Sequence, residues 1–299
     1  MMVVKYDMAA TQQIWKKVIV FFAAVAIGIV TCSTESRSAL NGVVREDIQE
    51  QSSYKDVVLP FSPGEKLNFI LKWGSIPAGK ASLEVKPASR VNGELAYHFV
   101  MTARTNSFVD VFYKVRDKIE GFTSLDMSRS LRYKKKQREG RYKRNVLVEF
   151  DWNAAKTRQT RVDKGREYPW IDIPPGTFDP LSALYFTRLA DFQEGMNIER
   201  PVTDGRKTVT GIVKVMKKET LTIDGTRYET YKLQPSTQGI GGVFKESDDA
   251  KLFVWITADK RRIPVKVKSK VLVGSFIGEL SSMESGNPDA TLSGRAEPE

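Results

Sequence analysis

The sequence predicts a mostly β protein: a curved antiparallel sheet or incompletely closed β-barrel with one short helix. Three observations lead there. Apolar and polar residues alternate with a period of two in many short segments, so that one face of each is dry and the other wet. The dipeptides Asn92-Gly93, Asp204-Gly205 and Asp224-Gly225, which accept positive φ in tight hairpins, punctuate those segments. Only one segment repeats with a helical period.

Taken in order, Leu67, Phe69, Leu71 and Trp73 alternate with Asn68, Ile70 and Lys72 to give a first strand. Ala81, Leu83 and Val85 alternate with Lys80, Ser82, Glu84 and Lys86 to give a second. Further strands are expected at 94–104, 111–121, 130–138, 141–151 and 156–163, then at 206–217, 218–223, 226–233, 250–257, 262–272 and 275–280. Leu252 to Ile256 is continuously apolar, which places it centrally with both faces covered. Ile263, Val265 and Val267 face inward while Lys266, Lys268 and Lys270 face water, and Ala258 to Arg261 turns between these two runs. The helix begins at Pro180: Asp179 caps the free amides, proline suits the first position, and Leu181, Leu184, Tyr185 and Leu189 share a face. One helix of about ten residues, 180–190, implies a plug or lid on a curved sheet and argues against a βαβ fold.

The N-terminus reads as an export signal. Lys16 and Lys17 precede an apolar run from Val18 to Val30, and small polar residues follow at Thr31 to Ser38. The run is shorter than the roughly 20 apolar residues that span a bilayer. Two processing routes compete. Ile29-Val30-Thr31-Cys32 resembles a lipobox, which would acylate Cys32, although Thr31 stands where Gly, Ala or Ser is usual; ordinary cleavage after Ser38 would use Ser36 and Ser38. An uncleaved anchor is a third reading. The expected organisation is a signal over 1–38, a tether over 39–61, a β-rich domain over 62–280 and a disordered tail over 281–299. This places the domain in the periplasm, anchored at the outer membrane if Cys32 is lipidated.

Formal net charge is +11 at pH 7; loss of residues 1–38 removes four cations and two anions and lowers it to +9. Such a domain is drawn to anionic lipids or glycans, while export argues against nucleic acid. Cys32 is the only cysteine, so the mature domain holds no intramolecular disulfide and no thiolate metal site. His98 is the only histidine, which excludes a His-rich zinc site and leaves a Ser-His-Asp triad a single recruit, placed in mid-strand where a satisfied strand residue is the plainer reading.

Two glycine-rich stretches mimic nucleotide motifs. Gly74-Ser-Ile-Pro-Ala-Gly79-Lys80-Ala81 lacks the Ser or Thr that holds magnesium, and strand alternation follows it where a phosphate cradle needs a helix. It reads as a turn. Gly239-Ile-Gly241-Gly242-Val-Phe244 lacks the last glycine of the dinucleotide fingerprint and a βαβ setting, so no cofactor is expected. Asp110, Asp117, Glu120, Asp172, Asp179, Asp248, Asp249 and Asp259 are the carboxylates from which a hydrolytic pair would be drawn.

The densest charge feature is 132–144, where Arg132, Lys134, Lys135, Lys136, Arg138, Arg141, Lys143 and Arg144 flank a turn at Glu139-Gly140. This basic hairpin is a candidate contact for lipid phosphates or an anionic glycan; a solvated hairpin that shields a sheet edge with lysine is the plainer reading.

The order of features resembles the bacterial family of domain of unknown function 3108 over about residues 62–280. The carriers are Gly64-Glu65-Lys66-Leu67, Trp73-Gly74, Pro77-Ala78-Gly79-Lys80-Ala81, Phe178-Asp179-Pro180-Leu181-Ser182-Ala183-Leu184-Tyr185, Val254-Trp255-Ile256-Thr257, Arg262-Ile263-Pro264-Val265, Gly274-Ser275-Phe276 and Glu279-Leu280. The resemblance implies an exported, mostly β protein of Gram-negative-type bacteria and supplies no activity or catalytic residue. The expected function is therefore non-enzymatic: an envelope binding or assembly protein holding a lipid or another apolar or anionic ligand, with Trp73, Trp170 and Trp255 as candidate lining residues. An envelope hydrolase with paired carboxylates and a structural partner in an envelope complex are the alternatives.

Overall fold

A computed structural model describes residues 59–236, 251–270 and 275–287. The export signal with Cys32, the tether up to residue 58, the glycine-rich loop around 237–247 and the tail from 288 lie outside the described residues.

Strand alternation becomes one antiparallel sheet. Its members are β1 (Lys66–Trp73), β2 (Ile76–Val91), β3 (Glu94–Thr105), β4 (Arg116–Ser124), β5 (Ser130–Glu139), β6 (Tyr142–Asp151), β7 (Lys156–Arg161), β8 (Arg166–Glu167), β9 (Ile171–Asp172), β10 (Asn197–Thr203), β11 (Thr208–Ile223), β12 (Thr226–Pro235), β13 (Lys251–Thr257), β14 (Pro264–Lys270) and β15 (Ser275–Glu284). Their spatial order is β10-β11-β12-β13-β14-β15-β1-β2-β3-β4-β5-β6-β7-β8, with β9 on β7. The sheet curls without closing. The segment before the helix stitches its two halves: Ser130 N donates to Thr177 O at 3.1 Å, Phe178 N to Pro201 O at 2.9 Å and Thr203 N to Phe178 O at 2.9 Å. Gln159 Nε2 adds a bond to Asp204 O at 2.7 Å, linking β7 to the β10–β11 turn.

Where the sheet departs from the sequence reading, each cause is local. Residues 107–110 form a helical turn, α1 (Ser107–Asp110), capped by the Asn106 side chain, and β4 starts only at Arg116. β10 lies outside the expected strands; it contains Pro201 but occupies the end of the sheet order, where a missing N–H costs no ladder bond. The segments 206–217 and 218–223 are one strand bent by a bulge between Val215 and Lys217. Glu284 pairs with Lys66, so the sheet runs four residues beyond the boundary expected at 280. At the other end Phe61 is buried, its ring edge-on to Tyr185 at 5.2 Å, so the domain begins before residue 62.

The single longer helix, α2 (Pro180–Thr187), packs on the concave face against β3, β4 and β10. Leu181 and Tyr185 are fully buried, and the Tyr185 ring stacks on Phe99 at 3.8 Å. Burial of the Leu181 side chain stabilises the fold by roughly 1.5–3 kcal/mol relative to exposure, whereas the gain from the Tyr185 ring is offset by its buried hydroxyl, which has no hydrogen-bond partner among the described residues. α2 is thus an internal plug that fills the curl of the sheet.

Candidate functional site

Asp179 positions the plug. Its Oδ1 accepts from Leu181 N at 2.9 Å and Ser182 N at 3.0 Å, and its Oδ2 accepts from Ser130 Oγ at 2.6 Å and Ser182 Oγ at 2.5 Å. A Cβ at Gly121 would lie 2.8 Å from Ser182 Oγ and 3.0 Å from Asp179 Oδ1, so glycine there leaves room for the cap. Burial pushes the Asp179 carboxyl up to about 6 despite these four donors.

Beside the plug lies an apolar cavity of about 110 Å³, walled by Phe69, Leu71, Leu83 and Met101 on one side, by Leu233, Leu252, Val254 and Ile256 on the other, and roofed by Pro180, Ala183 and Leu184. Inward-facing residues of nonadjacent strands meet there because the sheet curls, which no local pattern announces. None of the three tryptophans lines it. Trp255 is buried, donating from Nε1 to Glu219 Oε1 at 2.6 Å; Trp73 packs partly buried on the core; Trp170 lies at the surface with the Arg158 guanidinium 4.8 Å from its ring.

Another concavity, about 710 Å³, is on the outer face of β15 and β1–β5 and is lined by Lys66, Lys80, Arg104, Lys118, Lys136 and Arg138 together with Asp117, small apolar and hydroxyl or amide side chains. Register aligns the cations: Lys80 faces Arg104, Arg104 faces Arg116, and Lys118 faces Lys136. Like charges directly opposite one another are unfavourable in a sheet without a counter-ion.

The basic hairpin divides across this wall. Arg132, Lys134, Lys136 and Arg138 alternate with the buried side chains of Tyr133, Lys135, Gln137 and Glu139, and Arg141 and Lys143 are exposed at the turn. Lys135 is only 8% exposed, which removes it from any surface contact. Arg144 also departs from the outward set, since its Nη2 donates to Gln159 Oε1 at 2.9 Å and Gln159 is buried. Burial, with the nearby Arg144 charge second, pushes the Lys135 ammonium down to about 8.

Asp248 and Asp249 lie outside the described residues, and the described carboxylates have bland partners. Asp110 pairs with Arg116, Glu120 with His98 and Lys118, and Asp259 with Arg261. Asp117 and Glu139 are close, but both are buried, with Asp117 Oδ1 accepting from Arg138 N at 2.8 Å and Glu139 Oε1 from Gln137 Nε2 at 2.8 Å. Burial first, then the Glu139 charge, raises Asp117 to about 7. His98 Nε2 lies 3.2 Å from Glu120 Oε1 and its ring stacks on Phe122 at 4.3 Å. Lys80 sits within β2 with no helix behind it, and Gly79 serves the sheet, because a Cβ there would lie 2.2 Å from Arg104 O. Among the described residues no group of three or more His, Cys, Asp or Glu side chains is placed to hold a metal ion.

An open, curled antiparallel sheet around a short plug defines a β-barrel-like class. The chain belongs to the family described as protein of unknown function DUF3108, whose model matches residues 68–281. The same architecture occurs in a β-barrel-like protein of domain of unknown function DUF1849 from Brucella abortus, at 12% identity and a TM-score of 0.51, covering 76% of this chain and 99% of that one. The hypothetical protein CT021 from Chlamydia trachomatis is similar at 10% identity and a TM-score of 0.35, over 79% of this chain and 93% of that one. These likenesses concern the fold alone. No curated protein matches the sequence.

Proposed function

We propose that the chain is a non-enzymatic binding protein of the cell envelope that receives an apolar group of its ligand beneath α2. The observation that carries this reading is the apolar cavity of about 110 Å³ beside α2. Binding pockets for whole small molecules run to roughly 300–1,000 Å³, whereas a dry cavity of about 150 Å³ takes up a benzene-sized group. The matching ligand part is the end of an acyl chain or one ring, the remainder lying outside. The periplasm is the compartment in this reading, with Cys32 a lipid anchor if the lipobox is used.

The rival readings have less support. A hydrolytic pair of carboxylates needs both acids to reach substrate; Asp117 borders the outer concavity but is only 5% exposed, and Glu139, 3% exposed, does not line it. A partner that adds a strand needs an open edge, whereas β10 carries Pro201 and is bridged by Phe178, and β8 has two residues. Full-length protein incubated with cis-parinaric acid should enhance its fluorescence, and Ala183→Trp, which fills the roof of the cavity, should abolish the enhancement while thermal unfolding stays cooperative. No enhancement with the wild type, or equal enhancement with both proteins, overturns the reading.

A further inference from the structure

From the loop that carries α1 we infer a second site, at one end of the barrel: an apolar tip ringed by cations that docks on a bilayer of anionic lipids. The tip is built from apolar residues of the α1 loop and of the β1–β2 turn beside it. Val111 is 78% exposed, Phe108 61% and Ile76 52%, and the Phe108 and Phe112 rings meet edge to face at 5.8 Å. Scattered apolar side chains on a surface are ordinary, but a contiguous aromatic cluster on a loop tip is not.

The tip is held in place. Asn106 caps α1 through Val109 N at 2.9 Å, donates from Nδ2 to Pro77 O at 2.8 Å and from its backbone N to Ala78 O at 3.0 Å, which brings the Ile76 turn alongside. Arg116 clamps Asp110 with Nη2 to Oδ2 at 2.5 Å and Nη1 to Oδ1 at 3.1 Å. That pair lowers the Asp110 carboxyl below its ordinary range and cancels the one negative charge of the loop. Gly140 N donates to Lys114 O at 2.8 Å, which sets the turn of the basic hairpin beside the tip and brings the half-exposed Tyr142 ring with it.

Charge decides the occupant. Lys80, Arg104, Lys114, Arg138, Arg141 and Lys143 lie on the strand ends, turn and loop that adjoin the tip, all exposed, and none makes an ion pair among the described residues. Aromatic and aliphatic groups that enter the headgroup region with uncompensated cations around them match an anionic interface. A protein partner would need its own acidic ring around an apolar socket, and a second copy of this chain would bring cation against cation. The site is separate from the cavity beneath α2, and the two readings fail independently.

The test labels the tip of the full-length chain. Val111→Cys in a Cys32→Ser background is coupled to acrylodan, with Lys260→Cys, on the turn at the opposite end of the barrel, as the control. Vesicles of phosphatidylcholine with phosphatidylglycerol should shift the emission of the 111 label to the blue and leave the 260 label unchanged. Spin-labelled lipid should quench the 111 label alone. Phe108→Ser with Phe112→Ser, or Gln at Arg104, Arg141 and Lys143, should weaken the response at least tenfold, the second set acting only at low salt. The inference is overturned if the 111 label stays aqueous with anionic vesicles, if both labels respond alike, or if the 111 label is dry without vesicles because chains self-associate through the tip.

Discussion

Arg188 and Glu65, 123 residues apart, form a buried two-point ion pair, with Nη1 to Oε1 at 2.6 Å and Nη2 to Oε2 at 2.9 Å. The same guanidinium donates to Pro60 O at 3.1 Å and Arg261 O at 3.0 Å, tying the entry of the domain, the end of α2 and the β13–β14 turn together. Its face lies 5.2 Å from the Phe61 ring centre. Removing one charge strands the other in a low-dielectric setting, so Arg188→Met should lower stability by about 3–5 kcal/mol. Adding Glu65→Gln should recover part of that loss, because the stranded carboxylate is gone. Urea denaturation of the two variants measures both; a single variant of wild-type stability would show that the pair holds nothing.

Asp117 gives a pH-dependent prediction. Its carboxyl is held at about 7 in the fold and titrates near the ordinary carboxylate range when unfolded, so the native state binds the proton more tightly. Stability contributed by this group therefore falls as pH rises from about 4 to about 7. Asp117→Asn keeps an acceptor for Arg138 N and carries no charge. It should raise the unfolding free energy by about 1–3 kcal/mol at pH 8 and have little effect near pH 4. Thermal unfolding across that range checks it, and a gain independent of pH would assign the effect to packing instead.

Gly79 separates two meanings of one motif. A phosphate loop would depend on its lysine, whereas this sheet depends on the glycine, since β3 backbone at Arg104 O sits 2.2 Å from where a Cβ would be. Gly79→Ala should cost about 1–3 kcal/mol by forcing β2 and β3 apart. Lys80→Ala, on the exposed face, should stay within about 0.5 kcal/mol. Denaturation midpoints of the pair decide it; the opposite order of effects would restore the loop reading.

Much of the sheet was legible because period-two alternation is a local property: β1, β3, β5 and β6 fall close to their expected bounds. The inward turn of Lys135 also had a local signal, since it shares parity with Tyr133, Gln137 and Glu139 and not with its basic neighbours. The cavity had none, because Leu83 and Leu252 meet only through the curl of the sheet. The tip was misread for a physical reason: Val111 and Phe112 look like the start of a buried strand, and the Asn106 cap with the Arg116–Asp110 clamp turns that stretch outward. Tryptophan identity carried no positional signal, and Trp255 directs its N–H to Glu219.

Asp179 joins stability to the proposed binding. Asp179→Ala removes the acceptor for the first two free amides of α2 and leaves the Ser130 and Ser182 hydroxyls to find other partners in a buried site. Loss of a cap costs about 0.5–2 kcal/mol and an orphaned buried polar group about 1–3, so a total near 2–4 kcal/mol is expected. Because α2 roofs the apolar cavity, parinaric acid enhancement should weaken before the protein unfolds. The amides of Leu181 and Ser182 should also exchange with deuterium faster than those of β1. Unchanged exchange at these two amides would show that the plug is held by packing of Leu181 and Tyr185 and that the carboxylate is dispensable.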